Sequence, residues 1–405
     1  MNSAGAPAAA EPVASTAPRR SAVPLALYVH MPWCVRKCPY CDFNSHQLKS
    51  AAPPGSYIDA LIHDFDTEMP WLAGRRIETV FFGGGTPSLF PPEDFARLLE
   101  ALRQRIAFDD NAEITLEANP GTIERGRFAG YRDAGINRVS LGAQSFAPRA
   151  LERLGRIHTA QDTHRAVQEL RAAGIRNFNL DLMYALPEQD LDEAIADVRT
   201  AIALEPAHIS YYQLTLEPGT VFHTRPPPLP DEDAAWAIQT ECQQHLAAHG
   251  FVQYEVSAYA QAGARCRHNL NYWLFGDYVG VGAGAHGKIT LGLPDRILRT
   301  AKPKQPRDYQ ERLAASRAAL DSTSGEREFI AAADLPFEFM LNALRLNDGF
   351  ALSDFEHRTG LSAGLLAPKL QQAADRGLVE VIARGWRPTE LGRRFLNDLQ
   401  GSFLA

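Results

Sequence analysis

From residue 25 to residue 214, short β-branched or aromatic runs alternate with longer stretches whose apolar positions recur every three to four residues. The runs Leu25–His30, Glu78–Gly83, Glu113–Glu117, Arg138–Gly142, Asn177–Leu182 and His208–Leu214 read as strands. Between them, Tyr57–Leu72, Pro92–Arg105, Thr159–Ala173 and Leu191–Leu204 carry helical periodicity. This alternation predicts six βα units around a parallel sheet, an α/β fold. Beyond Pro218 the pattern changes to a Pro-rich loop at 225–228, a helix over Asp233–His249 and a strand over Gln253–Ala258. A polar stretch from Pro303 to Glu328 reads as a linker. It leads to Leu335–Phe395, which reads as three helices and a small hairpin, Leu378–Ile382 with Gly385–Pro388.

A chain of 405 residues has room for one large core and a smaller one. The expected organisation is a tail at 1–22, a barrel domain with a C-terminal extension at 23–302, a linker at 303–329 and a winged-helix-like α+β domain at 330–405. The tail is Ala, Pro, Ser and Gly with almost no large apolar side chain, too poor in burial to offset chain entropy, and is expected to be disordered. Arg19 and Arg20 precede Val23–Leu27, but that apolar run is too short for an export signal. Nowhere do about 18 apolar residues follow one another, so no membrane-spanning helix is expected.

A formal charge of -7, with both signs well mixed, offers no general attraction for nucleic acid or an anionic membrane. The winged-helix pattern invites a DNA reading; residues 330–405 answer it with eight basic side chains against nine acidic ones, which favours a packing or partner module. Five cysteines, three of them within residues 34–41, do not form a disulfide scaffold and fit reduced thiols in the cytoplasm.

Cys34, Cys38 and Cys41 follow the first strand in a loop that also holds Pro32 and Pro39. Three thiolates there would ligate three irons of a 4Fe-4S cubane and leave the fourth open to a chelating small molecule, a position that suits the amino and carboxylate groups of S-adenosylmethionine. The competing reading is zinc, closed to Cys3His by His46. What favours the cluster is the polar punctuation at the C-terminal ends of the next strands, where a barrel gathers its ligand. The second strand ends on Gly83, Gly84, Gly85 and Thr86, where missing side chains let the backbone approach a ligand. The third ends on Glu117, a carboxylate able to accept from ribose hydroxyls. The fourth ends at Gln144, with Arg156 downstream, and the fifth near Asp181.

These residues, with Tyr28, resemble the oxygen-independent coproporphyrinogen oxidase-like branch of the radical SAM superfamily over nearly everything after residue 24. The resemblance implies a partial (β/α)6 radical SAM barrel and a C-terminal domain of the family's own kind. By the same resemblance Tyr28, Tyr40, Gly84, Gly85, Thr86, Glu117, Gln144, Arg156 and Asp181 contact S-adenosylmethionine, with Thr215 and His286 as weaker counterparts.

Within that branch two functions compete. The oxidases carry a fourth cysteine two residues after the third; here that position is Phe43. The chain has instead His268-Asn269-Leu270-Asn271-Tyr272-Trp273, similar to a motif associated with heme binding in the branch's heme-chaperone subgroup. A neutral imidazole is a normal axial ligand for heme iron, and Tyr272 and Trp273 would pack on a macrocycle. His268 is therefore the expected heme ligand, Cys266 an alternative, and an exposed site would suit a carrier that must release its cargo. Against this stands the possibility that His268 is a hydrogen-bonded core residue. The subgroup implies delivery of heme to membrane-bound respiratory enzymes, with no catalytic residue named. The competing enzyme would decarboxylate coproporphyrinogen oxidatively, and a third reading assigns the winged helix a regulatory task.

Overall fold

The computed structural model describes residues 23–49, 55–72, 74–121, 126–293, 296–318 and 325–404. The expected disordered tail, 1–22, lies outside the described residues. Six strands stand side by side in chain order, each parallel to the one before: β1 (Leu25–Met31), β2 (Arg76–Gly84), β3 (Ala107–Ala118), β4 (Arg138–Gln144), β5 (Phe178–Tyr184) and β6 (His208–Gln213). They are the six strands read from the sequence, and the parallel α/β architecture follows from them. The crossovers are α1 (Ser56–Glu68), α2 (Pro92–Arg103), α3 (Phe128–Ala134), then α4 (Pro148–Arg153) with α5 (Ala160–Ala172), and α6 (Leu191–Ala203). Two helix starts are written in the sequence. Thr159 with Asp162, and Asp190 with Glu193, form reciprocal capping boxes that satisfy otherwise orphaned N–H groups at the heads of α5 and α6.

A fully buried layer of Leu27, Val29, Val80, Phe82, Leu116, Val139, Leu141, Leu180 and Ile209 joins the strands to Leu61 and Phe65 of α1, Phe95 and Leu98 of α2 and Val198 of α6. Strands covered on both faces read as near-continuous apolar runs, which is why the sequence exposed them.

The sheet continues past the other edge of β1, where the sequence reading had placed no strand. There β7 (Asp277–Val281) pairs in parallel with β1, followed by antiparallel β8 (His286–Gly292), β9 (Arg296–Ala301) and β10 (Glu326–Phe329). The expected strand at Gln253–Ala258 is instead two short antiparallel strands, Val252–Gln253 and Ala258–Ala260, either side of a bend. The stretch expected as a linker holds a helix, Pro306–Ala318, and β10. Polarity hid both: the helix buries Tyr309 and Leu313, and β10 joins the sheet edge through its pairing with β9 and none of its residues is buried.

At the C-terminal end, helices Leu335–Ala343, Leu352–Thr359 and Ala367–Asp375 precede a hairpin of Val379–Ile382 with Gly385–Pro388. Phe339, Phe355, Leu366 and Leu370 fill a separate core, and Phe275 and Ile297 enter it from the barrel side. The small domain is thus seated on the β7–β9 edge. Among the described residues no helix is long and apolar enough to cross a membrane.

Candidate cofactor site

The C-terminal ends of β1 to β6 open on a cavity of about 280 Å³, walled by the cysteine loop on one side and the strand ends on the other. Cys34, Cys38 and Cys41 all line it, half-buried, and each sulfur has its own donor. The Thr86 hydroxyl donates to Cys34 Sγ at 3.5 Å, Arg156 Nη1 to Cys38 Sγ at 3.7 Å, and Ser45 Oγ stands 3.9 Å from Cys41 Sγ. Burial pushes the Cys34 and Cys41 thiols up; the Thr86 contact opposes it at Cys34, and the Phe43 backbone and Ser45 oppose it at Cys41. Such sulfurs become thiolates when a metal takes the proton's place.

Among the described residues no three or more His, Cys, Asp or Glu side chains converge tightly enough for a single ion. Zinc draws all its ligands to one point, whereas a cubane holds each thiolate on a separate iron. His46, the fourth ligand of the zinc reading, turns Nε2 toward Asn44 Oδ1 at 3.2 Å and the Lys304 carbonyl at 3.3 Å. The donor set therefore fits a multi-iron cluster.

The strand ends supply the remaining walls. Gly84 has φ +112°, and an added Cβ would lie 2.4 Å from the His30 ring; at Gly85 it would lie 2.6 Å from the Trp33 carbonyl oxygen. Side chains are excluded here because the cysteine loop lies directly on this turn, with Gly85 and Thr86 donating their N–H groups to the Met31 and Trp33 carbonyls. Gln144 ends β4 at φ +66°, beyond a register shift against β5, and its Oε1 accepts from the Tyr212 hydroxyl at 2.8 Å. Arg156 donates to Asn119 Oδ1 and to the Gly142 carbonyl at 2.9 Å, while its buried Nε has no partner. Arg156 lines the same cavity as two acids.

Glu117 accepts the Gly84 N–H at 3.1 Å, and Asp181 accepts from Ser140 at 3.1 Å and Asn179 at 2.7 Å. Burial and then the charge of Asp181 push Glu117 up to about 8, against the pull of the Gly84 N–H. Burial likewise raises Asp181. Two buried acids, both raised, in the same cavity as the Arg156 guanidinium suit a ligand carrying both positive and negative charge.

Tyr40, Gly84, Gly85, Thr86, Glu117, Gln144, Arg156 and Asp181 are thus brought together around the three cysteines. Tyr28 instead lines an adjoining chamber, its hydroxyl 3.0 Å from His30 Nδ1. His286 lines that chamber too, and Thr215 is exposed. Sequence reasoning missed Arg36, Ser210 and Tyr212. The last two alternate on β6 and so share a face, the signal that would have found them.

His268 stands elsewhere. It is 1% exposed on the short helix Arg267–Trp273, with Nδ1 2.9 Å from the Thr79 hydroxyl, Nε2 3.2 Å from the Tyr272 hydroxyl and its ring stacked on Phe81. Burial, then the charge of Arg138, lower it to about 3. Both ring nitrogens are engaged, so the exposed ligand expected from the motif is a core residue in this conformation. Cys266 is buried as well and pushed up to about 12, its sulfur 3.6 Å from Glu113 Oε1.

Residues 28–201 match the radical SAM superfamily model, and residues 330–395 match the HemN C-terminal domain. The chain is 49% identical over 384 residues to Heme chaperone HemW of Escherichia coli (strain K12), covering 94% of this chain and 98% of the relative. It is 31% identical to Heme chaperone HemW of Bacillus subtilis (strain 168), over 93% and 98%. Coproporphyrinogen III oxidase (HemN) from Escherichia coli superposes with a TM-score of 0.78 over 94% of this chain and 90% of that one, at 24% identity, a likeness of fold. From its cysteine-lined barrel mouth to its seated C-terminal domain, the chain belongs to the HemW family of the radical SAM superfamily.

Proposed function

We propose that this protein is a heme chaperone: it holds a 4Fe-4S cluster with S-adenosylmethionine at the barrel mouth, binds heme, and passes it to an acceptor. The observation that carries the reading is the similarity, 49% and 31% identity over nearly the whole chain, to relatives that bear that name. In support, Phe43 stands 60% exposed at the lip of the cavity where the resembling oxidases have a fourth cysteine. The acceptors that fit are membrane-bound respiratory enzymes, loaded from the cytoplasmic side.

Cys34, Cys38 and Cys41 would hold the cluster, and Gly84, Gly85, Thr86, Glu117, Gln144, Arg156 and Asp181 the cofactor. When bound, this pair supplies reductive cleavage to a carbon radical. The chain's own residues do the rest. Thr86, Ser45 and Arg156 donate toward sulfur and keep the thiolates oriented. The glycine turn gives backbone access, and Glu117 with Asp181 receives positive charge.

One anaerobic experiment separates this reading from the oxidase. Reconstituted protein is titrated with heme by absorbance, and in parallel incubated with coproporphyrinogen and S-adenosylmethionine. Saturable heme binding without turnover supports the chaperone; formation of protoporphyrinogen replaces it with the oxidase. Iron, sulfide and zinc analysis of the same sample tests the cluster, which stoichiometric zinc without sulfide would rule out.

A further inference from the structure

Beside the cluster cavity, and sharing Phe43, Gly84 and Glu117 with it, lies a second chamber of about 350 Å³. Tyr28, Phe43, Tyr272 and Tyr278 give it aromatic walls, and His286 stands at its open side. His286 opens β8, directly after a turn in which Gly282 and Gly284 take φ values of +105° and +80°. Its imidazole is exposed and has no hydrogen-bond partner among the described residues. That sets it apart from the chamber's other histidine, His30, whose nitrogens meet the Tyr28 hydroxyl at 3.0 Å and the Asn44 carbonyl at 2.8 Å.

Cations surround it. Lys304 and Arg299 both act on His286, and the Lys304 ammonium has no carboxylate partner among the described residues, whereas Arg299 is paired with Glu338. Burial and these two charges lower the imidazole from its ordinary value. An aromatic wall, a free imidazole and an unpaired ammonium match three parts of one ligand: macrocycle, metal and propionate.

We infer that this chamber is the heme site, with His286 as the iron ligand and Lys304 as a propionate partner, while His268 acts as a positioning residue. The inference rests on the heme-chaperone reading and names its site. Through its 3.2 Å bond to the Tyr272 hydroxyl, His268 holds in place an aromatic that lines the chamber, which also places Tyr278 against it at 4.6 Å between ring centroids. The motif thus serves the site by shaping its wall. Asn44 ties the chamber to the cluster loop, its amide donating at 2.9 Å to both the Ala283 and Lys304 carbonyls.

The test is a titration of the full chain with reconstituted cluster, using hemin and hemin dimethyl ester, read by absorbance and by resonance Raman of the iron–ligand band. In His286→Ala the histidine-ligated spectrum should disappear, affinity should fall about tenfold or more, and added imidazole should restore the spectrum. Lys304→Ala should weaken hemin several-fold, about the effect of one exposed ion pair, and leave the dimethyl ester unchanged. Tyr272→Phe, which keeps the ring, should retain histidine ligation. Circular dichroism and iron content of each variant establish that it is folded. If wild-type protein binds no hemin, the chaperone reading itself falls. If wild type binds and His286→Ala keeps an unchanged spectrum and affinity, this site falls alone, as it also does if Tyr272→Phe or His268→Gln abolishes ligation in a folded protein while His286→Ala does not.

Discussion

Glu117 gives a pH dependence that can be worked from the structure. Its carboxyl is raised from about 4.5 to about 8 by burial and by Asp181, so in the empty pocket at neutral pH it is mostly protonated. A sulfonium or ammonium group placed beside it favours the ionised form, so cofactor binding should expel a proton. For a group titrating at 8 the ionised fraction is about 1% at pH 6, 10% at pH 7 and 50% at pH 8, so affinity should climb about fivefold from pH 7 to 8 and about 50-fold from pH 6 to 8. The sign for stability is opposite. A carboxyl raised in the folded state holds a proton that the unfolded chain releases, so the empty protein should lose stability as pH rises from the ordinary carboxylate range toward 8, and the loaded protein should not. Anaerobic calorimetric titration of the cluster-bearing protein with S-adenosylmethionine, in buffers of different ionisation enthalpy, reads both affinity and proton release. Glu117→Gln should flatten most of the slope, leaving the part due to Asp181. Affinity and proton count that stay constant from pH 6 to 8 in the parent protein would refute the reasoning.

Three further perturbations bear on the scaffold of the site. Gly85→Ala puts a Cβ 2.6 Å from the Trp33 backbone, which cannot swing away; overpacking of this kind costs about 1–3 kcal/mol, and the variant should retain less iron per chain than its parent after identical reconstitution. Lys302 has a fully buried side chain with its ammonium 2.7 Å from both Asp64 and Glu68, so Lys302→Met removes the buried cation that both acids share and should cost about 3–5 kcal/mol, measured as a lower melting temperature at pH 7. Burial works against that ammonium and the two carboxylates override it, raising it; its contribution is therefore present below the ordinary lysine range and lost only in strong alkali, so parent and variant should converge there. When the cluster is chelated away, brief alkylation at pH 8 should label Cys34, Cys38 and Cys41, which are half-buried, and spare Cys242 and Cys266, which are buried; peptide mapping that finds Cys266 labelled equally would contradict its burial.

The barrel was legible because its six strands are buried on both faces and announce themselves as apolar runs, and because Thr159 and Asp190 mark helix starts with side chains that cap them. The edge strand β7 was not. Asp277-Tyr278-Val279-Gly280-Val281 opens with a charge, and what makes that charge bearable inside the protein is distant in sequence: Arg75 at 2.6 Å, Lys288 at 3.0 Å and the Thr290 N–H at 2.9 Å, which together hold Asp277 below the usual carboxylate range against its burial. The cavity residues at strand ends were legible by position, since a parallel barrel gathers them on one rim. The burial of His268 was not, because whether an imidazole faces solvent or a core depends on Thr79 and Phe81, some 190 residues away along the chain.

The departure at position 43 gains a physical meaning from the two chambers it touches. A cysteine there would add a fourth sulfur to the loop; the phenyl ring instead lines both the cluster cavity and the aromatic chamber. Its neighbour Asn44 anchors the same loop to the turn that bears His286, through the Ala283 carbonyl, and to Lys304. One short loop therefore holds the cysteines at its start and forms the near wall of the second chamber at its end. A ring at that boundary presents apolar surface to the proposed macrocycle and adds no fourth sulfur to the cysteine loop. The replacement that distinguishes this chain from the oxidases it resembles thus falls where the proposed cofactor site meets the proposed cargo site, and apolar surface there is what a carrier of a flat, hydrophobic ligand requires.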